Sequence, residues 1–112
     1  MPTFEQGDII RVPFPYTDRD TRQRRPALVV SAGSLGENDA LVWAVMITSA
    51  ENRPWLGDVE IPDHQAAGLP APSVVRPAKI ATVETSQIAR IGRLPDAALA
   101  VVISAIRAQL GG

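Results

Sequence analysis

The clearest helical repeat in this chain comes at its C-terminal end, and what precedes it is cut into short apolar segments by prolines and polar turns. In "AALAVVISAIRAQL", residues 97–110, Leu99, Val102, Ile103, Ile106 and Leu110 recur at the three- to four-residue spacing of one buried helix face. Pro95 and Asp96 introduce this stretch, and Gly111 and Gly112 supply its stop. Upstream, "GDIIRVPFPY" (7–16), "PALVVSA" (26–32), "ALVWAVMITSA" (40–50), "GDVEIP" (57–62), "PSVVRPAKI" (72–80) and "ARIGRL" (89–94) read as strands. Val59 and Ile61 alternate with Asp58 and Glu60, the pattern of a strand with one wet face. Pro13 and Pro15 have no amide to donate, so the first strand should lie at an edge, carry a bulge or end early. "DHQAAGLPAP" (63–72) is too short and too punctuated for a helix. Several short strands followed by one terminal helix imply a mainly β, barrel-like sheet or an α+β domain; repeated βα crossovers do not fit these spacings.

At 112 residues, 46% of them apolar, the chain suits one compact domain spanning residues 1–112. Lys and Arg number 11 against 12 Asp and Glu, a net charge of −1, so the whole molecule exerts no general pull on a polyanion and any nucleic-acid site must be local. The chain has no cysteine, which excludes disulfides, thiolate nucleophiles and Cys-ligated metals. The N-terminus carries no signal-type segment, and no apolar run reaches the roughly 20 residues of a membrane-spanning helix. The expectation is a soluble, cytoplasmic protein with no membrane partner.

Charge is nonetheless concentrated. Residues 11–25 hold five arginines (Arg11, Arg19, Arg22, Arg24, Arg25) against Asp18 and Asp20, a local charge of +3. A guanidinium offers a planar fork of donors that fits phosphate oxygens, although a solvated loop or carboxylate pairing would use the same residues. Arg25 stands apart because Pro26 and the strand beyond it restrain its backbone, while Arg22 and Arg24 suit the rim. Thr48 and Ser49 follow the apolar run "LVWAVMI" and either cap the strand end or hydrogen-bond a phosphate or a ribose 2′-OH. Arg76 and Lys79 interrupt another apolar segment; they are surface residues, or Arg76 joins Arg25 in clamping one phosphate. Phe14 and Trp43 suit the core or a dimer face, whereas Tyr16 and Trp55 flank loops where either could stack a base of single-stranded RNA. His64, the one histidine, has no convincing partner set and reads as structural. No phosphate loop, dinucleotide fingerprint or zinc-hydrolase motif is present, and Asp18, Asp20 and Asp39 form no recognisable magnesium loop. The expectation is chemistry without metal or cofactor.

In order and spacing, "GDIIRVPFPYTD" (7–18), "RRPALVVS" (24–31), "VMITS" (45–49), "SVVRPAKIATV" (73–83) and "IGRLPDAALAVVISAIRAQLG" (91–111) resemble the MazF/PemK family of toxin endoribonucleases. The resemblance implies an SH3-like barrel with helical additions, a homodimer, metal-independent cleavage of single-stranded RNA and neutralisation by a cognate antitoxin. It assigns catalytic roles to Arg25, Thr48 and Arg76; the charge, hydroxyl and aromatic pattern adds Arg22, Arg24, Ser49, Lys79 and Tyr16 as the expected RNA-binding residues. In some PemK-like members an acid proposed as base stands two residues after the arginine matched by Arg76; here that position is Ala78, and Ala81 replaces a further arginine. Thr48, solvent or a loop acid such as Asp18 would have to compensate. The implied reaction is attack of an internal 2′-OH on the adjacent phosphodiester, giving a 2′,3′-cyclic phosphate and a 5′-OH. The competing readings are an inactive toxin-like interaction protein and a nucleic-acid-binding module.

Overall fold

The computed structural model of the chain describes residues 3–13 and 24–111, the Arg24 side chain excepted. Among these residues six strands and one α-helix follow in order: β1 (Asp8–Pro13), β2 (Arg24–Val29), β3 (Leu41–Ser49), β4 (Val59–Glu60), β5 (Ser73–Glu84), β6 (Ala89–Arg93) and α1 (Asp96–Gln109). All strand pairs are antiparallel, in the order β4-β5-β3-β2-β1-β6, and the sheet curls into a half-barrel.

β3, an uninterrupted run of apolar and β-branched residues, is buried on both faces. Val45 and Ile47 point into a core shared with Ile9, Leu28, Val75, α1 and the segment 61–69. Val42, Ala44 and Met46 point the other way, where the curl of the sheet brings them against Ile10, Val12, Phe4 and Ile88. A strand buried on both faces loses the wet–dry alternation, and the apolar run 40–47 shows that in the sequence.

The prolines act as the sequence suggests, with one difference. β1 is not an edge strand: it lies between β2 and β6, bulges between Ile9 and Ile10 where it meets β6, and ends at Pro13. β5 runs further than 72–80, to Glu84, because the ladder loops out the proline that threatened to stop it. Arg76 pairs with Met46 while Ile80 pairs with Val45, so Pro77, Ala78 and Lys79 bulge from the sheet and no ladder bond needs the missing prolyl amide. "GDVEIP" yields only the two residues of β4; Ile61 still donates to the Ser73 carbonyl at 3.1 Å before Pro62.

Residues 63–69 form one capped turn. Asp63 Oδ1 accepts the amides of Gln65 and Ala66 at 3.1 and 3.2 Å, and the Leu69 amide donates to the His64 carbonyl at 2.8 Å. The turn lies backbone-on-backbone against β6. A Cβ on Gly92 would stand 1.9 Å from the Ala67 oxygen, and one on Gly68, whose φ is +84°, 2.2 Å from the Ile91 oxygen. This contact fixes the position of residues 69–71, which wall the site described below.

On α1 the sheet covers less than the apolar stripe offers. Ala98, Leu99 and Val102 are buried and Ile103 and Ile106 partly so, but Leu110 is exposed. Beside the helix runs an apolar groove of about 720 Å³ whose lining includes Trp43, Ile80, Ile103, Ile106 and Leu110. Trp43 and Ile80 are each about half exposed, at 49% and 51%.

Candidate functional site

β2 and β3 pair through Val29–Ala44, Leu28–Val45 and Ala27–Met46. Continuing that register by two residues sets Arg25 across from Thr48, on the face that carries Ala27 and Met46. The ladder stops at Ala27–Met46, so the strand ends part, and between them and residues 69–71 opens a cavity of about 320 Å³. Its polar lining comprises Arg11, Arg25, Thr48, Ser49, Asn52 and Ser73: two guanidinium groups and, among the described residues, no carboxylate.

The hydroxyls hold the loop that follows β3. Thr48 Oγ1 accepts from the Asn52 amide side chain, and Ser49 Oγ accepts the Glu51 amide at 3.2 Å. The Asn52 backbone amide donates to the Ser49 carbonyl at 3.0 Å, and Ala50 donates to the Pro72 carbonyl at 3.0 Å. Ser49 therefore serves the nearby backbone, as strand-end Ser and Thr commonly do, whereas Thr48 holds the Asn52 side chain. As acceptors in these bonds, both retain a hydrogen to donate to a ligand.

Arg76 shares the sheet face of Thr48, since its partner Met46 is two residues from Thr48, but it does not line the cavity. Its guanidinium forks onto Asp58, with Nε to Oδ1 at 3.0 Å and Nη2 to Oδ2 at 2.9 Å, and Nη2 also donates to the Arg53 carbonyl at 2.9 Å. Both side chains are only 10% exposed. Hydrogen bonding from Arg76 holds the Asp58 carboxyl below its ordinary range against the opposing effect of burial, with help from the Trp55 amide. The same bond holds the Arg76 guanidinium in its charged form more firmly than usual. The guanidinium carbon lies 4.4 Å from the centre of the Trp55 ring, and Lys79 Nζ lies 5.3 Å from it. Arg76 therefore finds its acid in a different loop from the neighbouring position occupied by Ala78.

Of the residues singled out in the sequence, the structure gathers Arg25, Thr48 and Ser49 in one cavity and sets Arg76, Lys79 and Trp55 in a second group joined to it by residues 50–58. Arg24 opens β2 opposite Pro13. Arg22 and Tyr16, with Phe14, Asp18, Arg19 and Asp20, lie outside the described residues. His64 contributes its carbonyl to the turn at 63–69. Asn52 carried no signal in the sequence, and Asp58 only that of the wet face of a short strand. Among the described residues no three His, Asp or Glu side chains gather as a metal site would need, and no helix is long and apolar enough to cross a membrane.

The fold is that of known toxin structures. The chain matches a MazE–MazF complex from Deinococcus radiodurans with a TM-score of 0.77 and 23% identity, covering 99% of this chain and 98% of that one. An endoribonuclease in complex with its cognate antitoxin from a mycobacterial species matches with a TM-score of 0.74 and 21% identity, over 96% and 95% of the two chains. The Mycobacterium tuberculosis toxin MazF-mt6 matches with a TM-score of 0.69 and 20% identity, over 93% and 96%. No curated protein matches the sequence significantly. The model of the family described as PemK-like, MazF-like toxin of type II toxin-antitoxin system matches residues 5–110, nearly the whole length, and the chain belongs to that family.

Proposed function

We propose that this toxin is an endoribonuclease whose scissile phosphate sits in the cavity between Arg25 and Thr48. The observation that supports the reading most directly is the opposition of a guanidinium and a hydroxyl across two strand ends, in a lining with a second arginine and no carboxylate among the described residues. The two guanidinium groups of this lining attract a phosphodiester. In the reaction the ribose 2′-OH gives up its proton to solvent as its oxygen attacks phosphorus, the bond from phosphorus to the 5′-oxygen breaks, and the departing oxygen takes up a proton from solvent. Charge builds on the nonbridging oxygens, where the Arg25 fork is worth most. The Thr48 hydrogen, directed at the phosphate or the ribose, orients the linkage for in-line attack.

The test is cleavage of single-stranded RNA in excess EDTA with analysis of the product ends. The expected products are a 2′,3′-cyclic phosphate and a 5′-OH. Hydrolysis to a 3′-OH and a 5′-phosphate overturns the mechanism, and binding without scission overturns the enzyme reading in favour of a nucleic-acid-binding module.

Neutralisation by an antitoxin is supported by the relatives solved with one, and we further propose that the protein assembles as a homodimer. The apolar groove beside α1 is the surface best suited to a second copy, because the exposed Trp43, Ile80 and Leu110 side chains gather around it. Sedimentation equilibrium should give a dimer for the parent and a folded monomer for Trp43→Asp with Ile80→Asp. A parent that stays monomeric at high micromolar concentration removes the dimer from this account.

A further inference from the structure

The Arg76, Asp58 and Trp55 side chains form a unit that phosphate binding does not explain. Trp55 opens a turn closed by Asp58: the Asp58 amide donates to the Trp55 carbonyl at 3.1 Å, and the Trp55 amide donates to Asp58 Oδ2 at 2.9 Å. Gly57, with φ +93°, occupies the third position, where such a turn needs positive φ. Asp58 is held in turn by the bidentate fork of Arg76, which also caps the Arg53 carbonyl and lies against the indole. Three contacts thus fix the orientation of an aromatic ring on a loop that could otherwise move. The ring is backed by the guanidinium and still 41% exposed.

We infer that Trp55 is a stacking platform for one nucleobase of the RNA substrate, with Arg76 and Asp58 as its positioning residues. The inference rests on the endoribonuclease reading and adds a base subsite to it. Arg76 is neutralised by Asp58, the ring keeps an exposed part, and Lys79, whose Nζ lies over the ring at 5.3 Å from its centre, is the cation that can turn to an adjoining phosphate. A polar, flat ligand attached to a phosphate chain suits that combination, and ring stacking accepts any base. The platform is linked to the cavity through Asn52, which holds Thr48 Oγ1 three residues before Trp55. Leu56, fully exposed at the tip of the turn, is the feature a protein partner would favour instead.

The test uses a Trp43→Phe protein, in which Trp55 is the sole tryptophan, and a 2′-O-methyl oligoribonucleotide, which has no free 2′-OH and cannot be cleaved. Binding should quench Trp55 emission strongly, and Trp55→Ala should weaken affinity about 10-fold or more. Inorganic polyphosphate and an oligoglutamate peptide serve as ligands without bases. On cleavable RNA, Trp55→Ala should raise KM with kcat little changed. Arg76→Met should bring part of the KM defect, together with faster depolarisation of Trp55 emission in the free protein. Equal quenching by polyphosphate or by the peptide overturns the inference, as does unchanged affinity in Trp55→Ala. Because the probe is uncleavable, these outcomes are read whether or not the parent cuts RNA, so failure of the subsite and failure of the nuclease reading are distinct results.

Discussion

Replacing Arg25 with alanine should slow RNA cleavage about 100- to 1,000-fold, the usual cost of removing one preorganised donor from a developing oxyanion. Arg25→Lys should recover only part of the loss, since an ammonium keeps the charge but cannot present two parallel N–H groups to phosphate. Thr48 provides the companion measurement. Thr48→Ala removes both the hydrogen aimed at the substrate and the oxygen that holds Asn52, whereas Thr48→Ser keeps both and should restore most activity. Single-turnover rates at saturating RNA check these expectations, with circular dichroism and thermal unfolding to confirm that each variant is folded. An Arg25→Ala enzyme within threefold of the parent would remove the phosphate from this cavity.

The cavity was half legible in the sequence, and the reason is geometric. Arg25 and Thr48 announced themselves by their position at the ends of apolar strands, because the end of a buried strand is where a polar side chain reaches solvent from a rigid backbone. Their opposition follows from a register set by Ala27 and Met46, which alternation alone does not fix. The partnership of Arg76 was not legible at all. Asp58 lies 18 residues earlier, in a segment whose alternation suggested an ordinary strand with Asp58 on its wet face. Only two residues of that segment pair, and its carboxylate turns onto β5. The long β5 was hidden for a related reason: Pro77 reads as a strand end until a three-residue bulge takes it out of the ladder. The helix was read from its own periodicity, yet the exposure of Leu110 and Trp43 depends on how much of the stripe the sheet covers, which no local pattern encodes.

Asp58→Ala should be the most destabilising single change in the second group, by about 3–5 kcal/mol, because it leaves the largely buried Arg76 charge without its counterion. Arg76 would keep only the Arg53 carbonyl and the Trp55 ring, and the Trp55 amide would lose its acceptor. Replacing both partners with apolar residues, Asp58→Leu with Arg76→Met, should cost far less than the sum of the single changes, since desolvating the pair offsets much of its attraction. A double-mutant cycle on thermal unfolding measures that coupling, and hydrogen exchange at the Trp55 and Asp58 amides reports whether loss is confined to the turn. The pair also sets a direction in pH. The folded Asp58 carboxyl titrates below its ordinary value of 3.8, so its contribution is complete above that value and disappears as pH falls through the depressed one. The parent should therefore lose stability faster than the double variant on acidification below about pH 4, while the two run parallel between pH 5 and 7. Parallel curves down to pH 2, or additive single-variant costs, would show that the fork contributes little and that some other contact holds the indole in place.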